Sequence, residues 1–134
     1  MASIIEGSAK LRELTASDAM KPRNLVVYLS GTASVDENLA RVHESGHSRF
    51  PFSESGEPDE VTGVVMAKEL LFHARQNDDD VDWKALVRPP LLVPGSAPLQ
   101  GLLLLFQNER QHLAVVLDEY GGVDGIVTLE DVLE

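Results

Sequence analysis

Gly63-Val64-Val65-Met66-Ala67-Lys68-Glu69-Leu70-Leu71 and Gly125-Ile126-Val127-Thr128-Leu129-Glu130-Asp131-Val132-Leu133 align without a gap. In each, a glycine opens a short β-branched run of strand character, and a stretch of good helix formers follows. Reading outward from the first copy, an apolar strand is expected over 25–29, after Pro22 has discouraged a helix. Ser34-Val35-Asp36-Glu37 has the spacing of a capping box, Val35, Leu39 and Val42 recur at helical spacing, and Gly46 is a natural stop. Strands over 49–52 and 61–66 flank an acidic turn, and a helix over 67–74 closes the half. The second half repeats that order. A strand over 91–93 follows Pro89-Pro90, and Ser96-Ala97-Pro98 opens a helix with Leu99, Leu102, Leu103 and Phe106 as its buried stripe. Strands over 112–117 and 123–127 surround the turn 118–122, and Thr128 starts a helix whose pattern still runs at Glu134.

The pattern predicts an α/β (α+β) fold of two tandem β-α-β-β-α repeats. Neither half is large enough to bury sufficient apolar surface alone, so the two are expected to share one core. The expected organisation is a linker or short helix over 1–16, repeat 1 over 17–76, an acidic linker over 77–85 and repeat 2 over 86–134. Trp83 is expected to anchor the linker on the core.

Composition narrows the function classes. The 134 residues include no cysteine, which excludes a disulfide framework, a thiol nucleophile and cysteine-bound zinc. A formal net charge of -11 argues against nucleic acid as a partner, which calls for clustered Lys and Arg. The start has no basic segment followed by an apolar stretch, and the run 102–106 is far short of the roughly 20 residues that span a bilayer. The chain as given is therefore expected to be soluble and cytoplasmic.

Met20-Lys21-Pro22-Arg23, Glu44-Ser45-Gly46-His47-Ser48-Arg49-Phe50-Pro51, Asp118-Glu119-Tyr120-Gly121-Gly122 and Gly125-Ile126-Val127-Thr128-Leu129-Glu130-Asp131 occur in that order. With the repeat, they resemble the tandem CBS-domain pair of the CorC/HlyC-type, hemolysin-like, CNNM-related proteins. The resemblance runs from about Thr15 to Glu134. It implies two repeats related by a pseudo-twofold axis and a cleft for AMP, ADP or ATP, with no obligatory cofactor and with Mg²⁺ as the nucleotide's counter-ion. It further implies a homodimer and a parent protein linked to magnesium or cobalt transport. That parent would carry a membrane domain in the inner (plasma) membrane, this module on its cytoplasmic side, and a C-terminal CorC/HlyC domain.

Residue by residue, the resemblance gives Thr128 a phosphate contact and Asp131 the two ribose hydroxyls. A carboxylate is an acceptor suited to a diol, and a helix start offers free N–H groups to phosphate. The same T-x-x-D spacing is also a variant of the capping box, with Thr128 as cap and Asp131 reaching back. From the first repeat the resemblance brings Lys21 to Val26, and His47, Ser48, Arg49 and Phe50, to the nucleotide. Lys21 departs from the threonine common at its position; its ammonium would pair with phosphate, its bulk would narrow the cleft, or it is a plain surface lysine. In the first repeat Met66 and Glu69 replace the hydroxyl and the aspartate, which makes the second site degenerate. The alternative reading is a constitutive dimerisation module with a cleft that takes no nucleotide. His43, His47, His73 and His112 lack ligand spacing, so no metal site is expected, and the Asp78-Asp79-Asp80 run reads as a solvated linker. No nucleophile–base arrangement or phosphate-binding glycine loop appears, so the chain is not expected to be an enzyme.

Overall fold

The computed structural model describes residues 14–77 and 80–133. The expected lead-in up to residue 13, together with Asp78, Asp79 and Glu134, lies outside the described residues. Contacts divide the described residues into two compact units, one formed by 14–26 with 91–133, the other by those between Val27 and Pro90. The segment 17–26 thus packs with the second half of the chain, whereas the sequence reading counted it in the first repeat.

The first unit opens with helix α1 (Ala16–Ala19) and strand β1 (Lys21–Pro22), followed by a 3-10 turn (Arg23–Leu25). The other unit contains β2 (Leu29–Ser30), α2 (Val35–Ser45), β3 (Arg49–Ser53), β4 (Gly63–Met66), α3 (Ala67–Gln76) and α4 (Trp83–Leu86). The chain then returns to the first unit with β5 (Leu91–Pro94), α5 (Leu99–Glu109), β6 (Leu113–Leu117), β7 (Val123–Thr128) and α6 (Leu129–Leu133). The β-α-β-β-α order recurs as expected. In each copy the first strand runs parallel to the second, and the second pairs antiparallel with the third.

The sheets are β2-β3-β4 in one unit and β1-β7-β6-β5 in the other. One strand expectation is corrected. Residues 25–28 do not form a strand: the Val26 N–H closes back on the Arg23 carbonyl at 3.2 Å, and Leu25 is 60 % exposed. The strand pairing with β3 begins only at Leu29. A second correction concerns α5. Its first turn starts after Pro98 and not at Ser96, because Ala97 and Pro98 are engaged by Leu14 to Ala16 in a separate bridge.

Each unit has its own hydrophobic cluster. In the first, Val93, Leu99, Leu102, Phe106, Ala114, Val116, Val127 and Val132 pack together. In the second, Leu29, Val42, Phe50, Phe52, Val65 and Leu70 do so, with Trp83 stacked on Phe52 at 4.7 Å between ring centroids. Burying each of these large side chains contributes roughly 1.5–3 kcal/mol. Gly46 ends α2 at φ 68°, the left-handed conformation that its lack of a Cβ permits. At the other end Ser34 accepts the Glu37 N–H at 3.1 Å.

Candidate functional site

β7 ends at Thr128 and the chain turns at once into α6. The Thr128 N–H donates to Asp131 Oδ2 at 3.0 Å, and the Asp131 N–H donates to Thr128 Oγ1 at 3.2 Å. This is the reciprocal capping arrangement, with aspartate in place of the usual glutamate. The Leu129 N–H is held by the His112 carbonyl at 2.8 Å and Val132 is buried in the cluster, so the junction is pinned on both sides. Both side chains are half-buried. The bonding leaves chemistry unspent: Thr128 Oγ1 accepts here, so its own O–H proton is free to donate. Among the described residues Asp131 Oδ1 has no protein partner.

β1 lies antiparallel to β7, with Lys21 opposite Ile126 and Pro22 opposite Gly125. Alternation along β7 puts Ile126 and Thr128 on one face, so Lys21 shares that face with Thr128. The strands can approach this closely because residue 125 is glycine; a Cβ there would stand 2.2 Å from the Lys21 carbonyl oxygen. Val26 ends the 3-10 turn that packs against β7 and is half-buried. Lys21, Val26, Thr128 and Asp131 therefore belong to one unit.

The other predicted residues sit in the second unit. His47 is exposed, its ring 6.0 Å from that of Phe50, while Phe50 is fully buried in the cluster. Ser48 is exposed and its carbonyl accepts the Ala67 N–H at 2.9 Å. Arg49 pairs in register with Met66. Met66 precedes α3 without a side-chain cap, as expected of a thioether. Glu69 is engaged by Arg88, which donates Nη2 to Oε2 at 2.7 Å and Nε to Oε1 at 3.2 Å. That hydrogen bonding, with the carboxylate's charge, raises the Arg88 pKa above its ordinary value.

Sequence reasoning missed Arg88. A signal existed: Arg88-Pro89 stands to Val64 as Lys21-Pro22 stands to Ile126. The Arg88 N–H and carbonyl both bond to Val64 at 2.9 Å, in an isolated antiparallel bridge. The matching glycine, Gly63, is again crowded, with a Cβ placed 2.7 Å from the Arg88 carbonyl oxygen. Among the described residues no three His, Cys, Asp or Glu side chains gather as metal ligands, and no helix is long and apolar enough to cross a membrane.

A duplicated β-α-β-β-α plan, an extra edge strand on the third strand and a T-x-x-D corner define a module of the CBS type. Residues 81–134 match the CBS domain family model. The chain is 32 % identical to the CBS domain of the bacterial CNNM/CorC family Mg²⁺ transporter in complex with ATP, covering 99 % of this chain and 94 % of that one, with a TM-score of 0.89. It therefore belongs to the CBS domains of the CNNM/CorC family. A conserved protein domain of unknown function from Neisseria meningitidis MC58 is 37 % identical, with a TM-score of 0.88, over 96 % of this chain and 82 % of that one. The magnesium and cobalt efflux protein CorC of Pasteurella multocida (strain Pm70) is 40 % identical over 131 residues, which are 98 % of this chain and 43 % of that protein. CorC of Escherichia coli (strain K12) is 37 % identical over 98 % of this chain and 44 % of its own length. The chain thus spans less than half the length of these curated relatives.

Proposed function

We propose that this chain is a regulatory module that binds an adenine nucleotide, in a protein associated with magnesium and cobalt transport. The observation that carries the reading is the likeness, over 94 % of its length, to a CNNM/CorC CBS domain described in complex with ATP. The chemistry of the Thr128–Asp131 corner supports it. The mutual cap fixes the Asp131 carboxylate while leaving Oδ1 to accept from a ribose diol, and it leaves the Thr128 hydroxyl able to donate to a phosphate oxygen. His47, Ser48, Arg49 and Phe50 are carried into the proposal by family resemblance, Phe50 as a buried support.

Binding regulates only when the ligand favours one of two states of the protein by differential affinity. The receiver would be a membrane domain in the remainder of the parent protein, with this module on the cytoplasmic side and Mg²⁺ accompanying the nucleotide. The reading is one of binding without turnover. Calorimetric titration with AMP, ADP and ATP, with and without Mg²⁺, tests it; saturable binding lost in Asp131→Ala is expected, and no saturable binding by the intact chain would overturn it.

A second reading, a constitutive homodimer with a cleft closed to nucleotide, draws on Glu69 being occupied by Arg88 and on the exposed Leu71, Phe72 and Leu104. Sedimentation with and without ATP separates the two. An unchanged dimer that ignores ligand would favour the second.

A further inference from the structure

We propose that Lys21 is the specificity-determining cation of the Thr128–Asp131 corner, meeting the phosphate chain of the nucleotide so that ATP is preferred over adenosine. The inference deepens the nucleotide reading and rests on it. Its basis is the internal comparison of the two repeats. Arg88 and Lys21 occupy matching registers, each opposite the residue that follows a crowded glycine at the start of a third strand. Glu69 and Asp131 occupy matching positions in the helices that follow.

In the first-repeat corner this register carries the Arg88 guanidinium onto the Glu69 carboxylate at 2.7 Å, so a long cationic side chain in that place reaches the helix start. In the Thr128–Asp131 corner the equivalent pair is not made. Asp131 is turned to the Thr128 N–H, and Lys21 forms no ion pair among the described residues. Its face of the sheet offers Thr128 on one diagonal, and Lys21 is itself half-buried. One corner is thus neutralised internally, while the other keeps a carboxylate acceptor and, on the neighbouring strand, a cation with no ion pair among the described residues. A nucleotide needs that combination, an acceptor for the ribose and a positive charge for phosphate. A net charge of -11 strengthens the case, since ATP approaches a chain that repels it except where a local cation intervenes.

The test is calorimetric titration of the full chain in EDTA, so that Mg²⁺ cannot supply the missing charge. Wild type, Lys21→Met, Lys21→Thr and Lys21→Arg are each titrated with ATP, AMP and adenosine. Lys21→Met and Lys21→Thr are expected to weaken ATP roughly tenfold while adenosine changes less than about twofold, and Lys21→Arg should keep the wild-type ratio. An ATP-to-adenosine ratio left intact by Lys21→Met and Lys21→Thr, whether both ligands weaken together or neither changes, overturns the inference alone. Absence of saturable ATP binding to wild type in EDTA, with binding restored by Mg²⁺, also overturns the inference alone, and absence both in EDTA and in Mg²⁺ removes the nucleotide reading together with it. Thermal midpoints of the variants identify any that misfold, and the inference then rests on the remaining ones.

Discussion

The guanidinium of Arg88 and the carboxylate of Glu69 form two parallel bonds, Nη2 to Oε2 at 2.7 Å and Nε to Oε1 at 3.2 Å. Glu69 holds the place in its repeat that Asp131 holds in the other, and both of its oxygens are taken. A ribose diol would have to compete there with the Arg88 guanidinium. The expected stoichiometry is therefore one nucleotide per chain, measured by titration at protein concentrations well above Kd; two equivalent sites would contradict it.

The same pair predicts a small effect on stability. Arg88 is 56 % exposed at its side chain and Glu69 34 %, so solvent screens the attraction, and Glu69→Gln should cost less than about 1 kcal/mol in urea unfolding. Its pH dependence has a definite sign. The Arg88 pKa is raised in the folded state, so its contribution is complete below the ordinary arginine value and fades only as pH climbs beyond it. Between pH 6 and pH 9, roughly the working range of a thermal melt, the difference between wild type and Arg88→Met should stay flat. A slope there would locate the linkage on another group.

Gly125 and Gly101 predict opposite signs for the same substitution. A methyl group on Gly125 would stand 2.2 Å from the Lys21 carbonyl and 3.1 Å from Met20 Sδ, and the first neighbour is backbone that cannot step aside. Gly125→Ala is expected to lose roughly 1–3 kcal/mol by forcing β1 off β7, and to weaken nucleotide binding by displacing Lys21. Gly101 lies exposed inside α5 with nothing near its Cβ position, so Gly101→Ala should gain up to about 1 kcal/mol of helix propensity. Thermal melts of the two variants decide both.

Asn38 marks the limit of what the sequence discloses. The gapless repeat carried the order of elements, and the Gly46 stop could be read locally, because each rests on residues a few positions apart. Asn38 reads as an ordinary polar position on a helix. It is instead fully buried, accepting the Ser30 N–H at 2.9 Å and donating to the Ser30 and Ser34 carbonyls at 2.8 and 3.1 Å. Its main partner, Ser30, lies on strand β2 and not on the helix that carries Asn38, so only the folded chain reveals it. Residues 25–27 failed for the converse reason: an apolar run suggested a strand, but no neighbouring strand takes its backbone groups. The Thr128–Asp131 pair was visible as spacing, while Arg88 was hidden because its partners, Val64 and Glu69, lie far back along the chain.

Asn38→Leu should accordingly be costly. It strips the Ser30 N–H and carbonyl of their partners in a buried setting, where each orphaned group costs about 1–3 kcal/mol. A loss of roughly 2–4 kcal/mol in urea unfolding is expected. A loss below about 1 kcal/mol would mean that water or a local shift replaces the side chain.

Thr128 and Asp131 support one another, so their stability role has to be separated from any role toward ligand. Thr128→Val keeps the shape and removes the hydroxyl, so the Asp131 N–H loses its acceptor; about 1 kcal/mol should be lost. Asp131→Asn retains an oxygen for the Thr128 N–H and should cost less, but it offers an amide where the ribose needs a carboxylate. If the corner binds nucleotide, Asp131→Asn weakens ATP and adenosine together with little change in melting temperature, whereas Thr128→Val weakens ATP more than adenosine. If the corner is only a cap, the melting temperatures shift by the same amounts and neither variant changes a titration. Running melts and titrations on the same two variants therefore distinguishes a structural aspartate from one that holds a sugar.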